Sequence, residues 1–180
     1  YKHSLQVPEY VVKMGLDCFE YQCGRGVNIG LDKAKLLGEE AKQKGITLSL
    51  HAPYYISMSS TEEEKRLNSI NYILASAKAV KFMGGSRIVV HTGSCSKITR
   101  EYALELAIDT MKKAILALDE AGLGDIHICP ETMGKVNFEK NFENFRNTLF
   151  GGTDESGAAI PVTNLATNYE LYEALISSLM

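Results

Sequence analysis

Three hydrophobic runs open forty residues apart, at Ile46, Ser86 and Ile126, and each ends on or beside a metal-ligand type of residue. His51 closes ITLSLH, His91 closes SRIVVH and Glu131 follows IHICP. A helix-like stretch follows each run. A repeat of strand and helix at this spacing demands a crossover connection, and crossovers of that length join parallel strands. The runs are apolar throughout rather than strictly alternating, which predicts strands covered on both faces.

The remaining elements extend the repeat in both directions. Residues 4–14 form a short helix candidate with Ser4 as its cap, ended by Gly15. Residues 17–22 read as a strand, followed by the glycine-rich loop CGRGVNIG, which lacks the GK[ST] of a phosphate-binding loop. A helix is expected over about 31–44, with Leu31, Ala34, Leu37 and Ala41 on its apolar face. STEEEKR marks the start of a long helix reaching about Met83, with Ser60 or Thr61 as cap and glutamates in its first turn. A further helix spans about 100–121.

After about residue 136 the pattern changes. FEKNFENFRNTLF carries a stripe of Phe138, Phe142, Phe145 and Leu149, GGTDESGAA reads as a loop, and NYELYEALISSLM is a second helix candidate. AIPVTNL is at most an edge strand, because Pro161 cannot donate to a ladder. The expected organisation is a βα domain over 1–137 and a divergent tail over 138–180.

The chain has 180 residues, 45% hydrophobic and 23% charged, with a net charge of -3. This suits a globular domain with a real core and excludes a strongly basic nucleic-acid binder that relies on its overall charge. No run approaches the ~18 apolar residues of a membrane span, so no membrane partner is expected. No signal peptide is visible, and the absence of an initial methionine suggests residues missing at the front. Cys18, Cys23, Cys95 and Cys129 show no CxxC spacing. They read as free thiols, with Cys18 and Cys129 buried in their strands, in a cytoplasmic protein.

Residues at the carboxyl ends of parallel strands face the crevice where such folds bind ligands. Neighbouring strands lie about 4.8 Å apart, so ligands at three strand ends can converge. His51, His91 and Glu131 form a His2Glu set that suits zinc, with one position left open. Tyr54 and Tyr55 of HAPYY reach the mouth of this site. Gly93 and Ser94 of HTGSC offer donors for an anion such as phosphate, and Lys135 of ETMGK adds positive charge beside Glu131.

LSLHAPYYISMSS, RIVVHTGSC and ICPETMGK, in this order, resemble consecutive strand-end motifs of the endonuclease IV family (AP endonuclease family 2), and MGLDCFEYQCGRGVNIG is similar to that family's second strand and loop. The resemblance covers about residues 1–137. It implies a xylose isomerase-like (β/α)8 TIM barrel and a zinc-dependent DNA-repair hydrolase that cleaves the phosphodiester 5′ to an abasic site in duplex DNA. It implies a three-zinc cluster in which His51 and His91 are ligands and Glu131 bridges two metals as the catalytic carboxylate. Tyr54 matches a substrate-contacting tyrosine and Arg25 a DNA-probing arginine. The family's later ligand motifs, beginning with a DTCH-like segment, have no counterpart after residue 137, and no histidine follows His127. The expectation is therefore a partial barrel of about four βα units holding one zinc or none, with an incomplete or inactive site. The alternatives are a non-catalytic partial barrel that self-associates through exposed sheet edges, and a metal-dependent sugar isomerase or epimerase of the related barrel superfamily.

Overall fold

The computed structural model describes residues 4–95, 97–131, 152–153 and 159–160. A 3-10 turn, Ser4–Gln6, leads into α1 (Val7–Lys13), followed by β1 (Cys18–Gln22), α2 (Leu31–Gln43), β2 (Thr47–His51), α3 (Glu63–Phe82), β3 (Arg87–His91), α4 (Arg100–Glu120) and β4 (His127–Glu131). The four strands form one parallel sheet in the order β1-β2-β3-β4. The parallel βα sheet is what the repeat predicts, and it is the partial TIM-barrel arrangement that the family resemblance implies. β5 (Gly152–Thr153) and β6 (Ala159–Ile160) pair antiparallel, so the AIPVTNL segment begins as a strand and GGTDESGAA contributes its partner. The two tail helices expected from the sequence lie outside the described residues.

Helices α2, α3 and α4 bury their small and aliphatic residues toward the sheet. Ala34, Leu37 and Ala41 of α2, and Ile73, Ala77 and Val80 of α3, join Leu48, Leu50, Ile88 and Val90 of the strands in one core. Glycines in the left-handed region end the helices: Gly45 (φ 70°) after α2, Gly84 (φ 73°) after α3 and Gly122 (φ 67°) after α4.

Three local expectations are corrected. Among the described residues the strands are covered on one face: Leu48, Leu50, Ile88 and Val90 are buried, while Thr47 and Arg87 are exposed and Ser49, His51, Val89 and His91 half-buried. The described residues pack helices against one face only, so the opposite face keeps its polar residues. Second, the caps differ. Ser4 lies within the 3-10 turn, and its buried hydroxyl has no hydrogen-bond partner. Glu62 occupies the N-cap of α3, and the Ser60 hydroxyl accepts from its backbone N–H at 3.2 Å instead of capping the helix itself. Thr99 does cap α4, accepting from the Tyr102 N–H at 3.3 Å.

The third correction concerns the thiols. All four cysteines are free, but Cys18 is exposed and Cys129 half-buried, because both project from the open face of the sheet; the buried one is Cys23. Burial pushes the Cys23 thiol up to about 11. At pH 8 roughly one Cys23 side chain in a thousand is then thiolate. Alkylation of the native protein at pH 8 is expected to modify Cys18 first and Cys23 at least ~100-fold more slowly. Mass mapping of labelled peptides over time checks this, and early labelling of Cys23 would contradict the burial.

Candidate metal centre

The sheet register places the three ligand-type residues on one face. His91 pairs with Glu131, and His51 pairs with Val89, one pleat short of His91. All three therefore project from the open face at its carboxyl end. His51 Nε2 lies 2.8 Å and His91 Nε2 2.9 Å from the same oxygen, Glu131 Oε2. The imidazole rings meet edge-on, with centroids 4.9 Å apart at 81°. One ligand atom from each residue falls within 4.8 Å of the others. The histidine side chains are 16% and 21% exposed and that of Glu131 46%, so the cluster is reachable from solvent on the carboxylate side.

The donor set fits a divalent metal. His51 Nδ1 lies 3.0 Å from the Ala52 carbonyl oxygen, which only accepts, so Nδ1 carries a proton. In the neutral ring the Nε2 lone pair then points at a carboxylate oxygen, an arrangement satisfied only by a second proton or by a cation. Burial opposes charge on His51, but the bonds to Glu131 and to the Ala52 carbonyl outweigh it and raise its pKa. An imidazole oriented through a backbone carbonyl is also the usual support for a metal-binding histidine. Tetrahedral zinc with bonds of ~2.0–2.2 Å separates its ligand atoms by roughly 3.4 Å. The two Nε2–Oε2 distances would need to open by about half an ångström, within reach of side-chain rotation.

The loops at this end are tied together. Gly93 adopts φ 113° and passes so close to Ser59 that no side chain would fit. The buried Ser59 hydroxyl donates to the Ser94 carbonyl at 2.9 Å, and the Thr110 hydroxyl donates to the Met58 carbonyl at 2.9 Å. Ser94 itself is exposed and contributes this carbonyl, rather than its hydroxyl, to the described network. Ser59 and Thr110 carry no sequence signal of such a role, since nothing local announces a bond across thirty-five or fifty-two residues.

The other predicted site residues are placed unevenly. Tyr54 is exposed, its ring 4.4 Å from that of Tyr55, and its N–H donates to the Gly24 carbonyl at 3.4 Å. That bond brings the β1–α2 loop, and with it the exposed Arg25, to the HAPYY turn. The Tyr55 phenol is raised, first by its hydrogen bond with Tyr54, while the nearby Arg25 charge acts to lower it. Tyr72 of α3 stands 5.9 Å from Tyr55, a neighbour that the sequence spacing does not reveal. Lys135 lies outside the described residues.

The fold and site define a parallel βα protein with a His2Glu cluster at the carboxyl end of its sheet. The chain belongs to the xylose isomerase-like TIM barrel family, whose sequence model matches residues 8–151. It is 31% identical over 144 residues to an uncharacterized protein of Methanocaldococcus jannaschii, covering 80% of this chain and 47% of that protein. It is 32% identical over 117 residues to a protein of Malacoplasma penetrans named "Probable endonuclease 4", covering 61% of this chain and 39% of the other. The chain thus spans less than half the length of these curated relatives. In fold it is similar to D-psicose 3-epimerase from Clostridium cellulolyticum H10, with a TM-score of 0.63 at 19% identity over 81% of this chain and 53% of that one. Among the described residues no helix is long and apolar enough to cross a membrane.

Proposed function

We propose that this chain carries part of a metal-dependent active site that acts on the phosphodiester backbone of abasic DNA. The observation that supports the reading best is the meeting of two imidazole Nε2 atoms on one carboxylate oxygen at strand ends. His51, His91 and Glu131 would hold one zinc ion. When bound, the metal supplies a Lewis acid that polarises a phosphoryl oxygen. His51 is oriented through the Ala52 carbonyl, and Glu131 carries the negative charge that both histidines share. Tyr54 and Arg25 at the mouth would contact the nucleic acid, with Ser94 and Lys135 as further substrate contacts. An imidazole-rich set suits zinc hydrolases better than the carboxylate-rich sites that favour magnesium or manganese. The relative named as an endonuclease agrees with this choice. Among the described residues His51, His91 and Glu131 are the group within metal-binding reach of one another, so one metal is proposed for them.

The second reading, a metal-dependent sugar isomerase or epimerase, is favoured by the fold likeness to the psicose epimerase. Elemental analysis followed by a duplex-binding assay separates the readings. About one zinc per chain is expected, with zinc-dependent preference for a duplex carrying a tetrahydrofuran abasic analogue over the intact duplex. Three zincs per chain would contradict the partial site, and none would remove the metal centre. Interconversion of ketohexoses without duplex preference would establish the epimerase reading instead.

A further inference from the structure

Among the described residues the sheet is uncovered on one face and unpaired at both edges. β1 and β4 each have a strand neighbour on one side only. Wholly parallel sheets occur almost only with both faces covered, and a free strand edge presents N–H and C=O groups that pair readily with another chain. Both features point to a partner that lies over the open face and reaches the two edges together.

The open face carries a charge pattern of its own. Below the metal centre the register sets Glu20 of β1 beside Ser49 of β2, and Arg87 of β3 beside His127 of β4. His51 pairs with Val89, so Ser49 falls level with Arg87, two residues earlier on each strand. The four residues therefore form one row across the sheet, all on the open face. The row is acidic at its β1 end and basic at its β3–β4 end. Glu20 is half-buried and accepts from Gln22 Nε2 at 3.0 Å. Arg87 is exposed and forms no hydrogen bond or ion pair among the described residues. A row with opposite charges at its ends complements its own two-fold image. With the axis parallel to the strands, the β1 end of each copy meets the β4 end of the other.

We infer that a second copy of this chain covers the open face, with β1 of each copy against β4 of its partner and Glu20 of each facing the Arg87 and His127 end of the other. The contact is the same in both directions, so it closes at two copies. Four strands from each copy make eight, the number whose enclosed interior side chains just fill. Edge pairing alone would hold the copies weakly. The His127 N–H bonds to Ser86 of β3, so the alternate residues Ile128 and Pro130 turn their backbone outward, and Pro130 has no N–H to give. The charge row therefore selects the partner and its orientation. Because the axis runs along the strands, both carboxyl ends point the same way, and the two His2Glu clusters open at one end of the assembly. This inference is independent of the substrate that the metal centre serves.

Sedimentation equilibrium of the full 180-residue chain tests the assembly. The wild type is expected as a particle of two chains. Glu20→Arg and Arg87→Glu each set like charges opposite one another and should each weaken the association by about a hundredfold. Mixing these two variants should restore the two-chain particle, because every contact across the axis again joins opposite charges. Ser49→Arg, at the middle of the row, should also separate the copies while leaving Glu20 and Arg87 in place, so the face is tested even where a charge reversal fails to fold. Far-ultraviolet circular dichroism checks that each variant keeps its helices. A monomeric wild type would overturn the inference, the face then being covered by something other than a second copy. A two-chain particle untouched by Ser49→Arg and by both charge reversals would overturn it as well, as would folded charge variants that separate but do not recombine when mixed.

Discussion

His91→Ala is expected to weaken zinc binding by roughly a hundred- to a thousandfold, because it removes one of the three protein ligands, a larger loss than the ~10–100-fold that follows loss of a residue supporting a ligand. The geometry makes His91 the informative position. Its Nε2 is 2.9 Å from Glu131 Oε2, and its register partner across the sheet is Glu131 itself. His51 would remain against Glu131 at 2.8 Å, so the variant leaves a two-ligand site rather than a collapsed one. The fold should tolerate the change, since His91 projects from the open face of the last residue of β3 while Ile88 and Val90 keep the core. Zinc should therefore raise the melting temperature of the wild type by mass action and leave that of the variant nearly unchanged. His127→Ala is the control. His127 begins β4 at the opposite end of the strand from Glu131 and should not alter zinc affinity. Competition with a chromophoric chelator measures the affinities, and wild-type affinity in His91→Ala would exclude the His2Glu site.

The residues that meet at Glu131 were readable from the sequence because two regularities coincide. The apolar runs set strand position, and a parallel sheet brings equivalent ends together whatever their separation along the chain. Helix ends were similarly legible where a glycine must take positive φ, as at Gly45, Gly84 and Gly122. What stayed hidden depends on contacts between units. The exposed face of the sheet was missed because Val89 and Cys129 look like core residues in isolation, and only the packing of helices on one side shows otherwise. The α3 cap was misassigned because Ser60 and Thr61 are both competent caps, and the choice of Glu62 follows from how the loop is held, with Arg66 bonded to the Ser60 carbonyl. Tyr72 is one more residue on a long helix until Tyr55 is placed beside it. The roles of Tyr54 and Arg25 rest on family resemblance, and the structure adds that their loops are joined through Gly24.

Gly38→Ala is expected to destabilise the protein by about 2–3 kcal/mol, against the sign that helix propensity alone predicts. Gly38 lies inside α2, where alanine is favoured over glycine by about 1 kcal/mol in an open helix. Here an added Cβ would strike the Met83 carbonyl, with the Met83 carbonyl carbon at 2.6 Å and its Cα at 3.0 Å. This is backbone, and it cannot rotate away. Met83 forms the C-cap of α3, held by its N–H to the Ala79 carbonyl at 3.0 Å and followed by Gly84 and Gly85, whose N–H groups bond back to Lys81 and Val80 at 3.0 Å. Gly85 is itself confined, because a Cβ there would meet the Leu48 carbonyl and Val80. Relief must come from moving α2 off α3, which opens the packing of Leu37, Ala41 and Met83 in the core. Gly30→Ala provides the comparison: it precedes α2 in extended conformation and a Cβ there meets nothing within 4 Å. That variant should be near neutral, since its less flexible unfolded chain is offset by the poorer N-cap that alanine makes at this position. Urea unfolding of the two variants beside the wild type decides the matter, and a Gly38→Ala protein as stable as the wild type would mean that α2 and α3 do not approach this closely. The same close approach bears on the site, because α3 packs on both β2 and β3, the strands that carry His51 and His91. Displacing α3 should therefore lower zinc affinity in Gly38→Ala, though it touches no ligand, and leave it unchanged in Gly30→Ala.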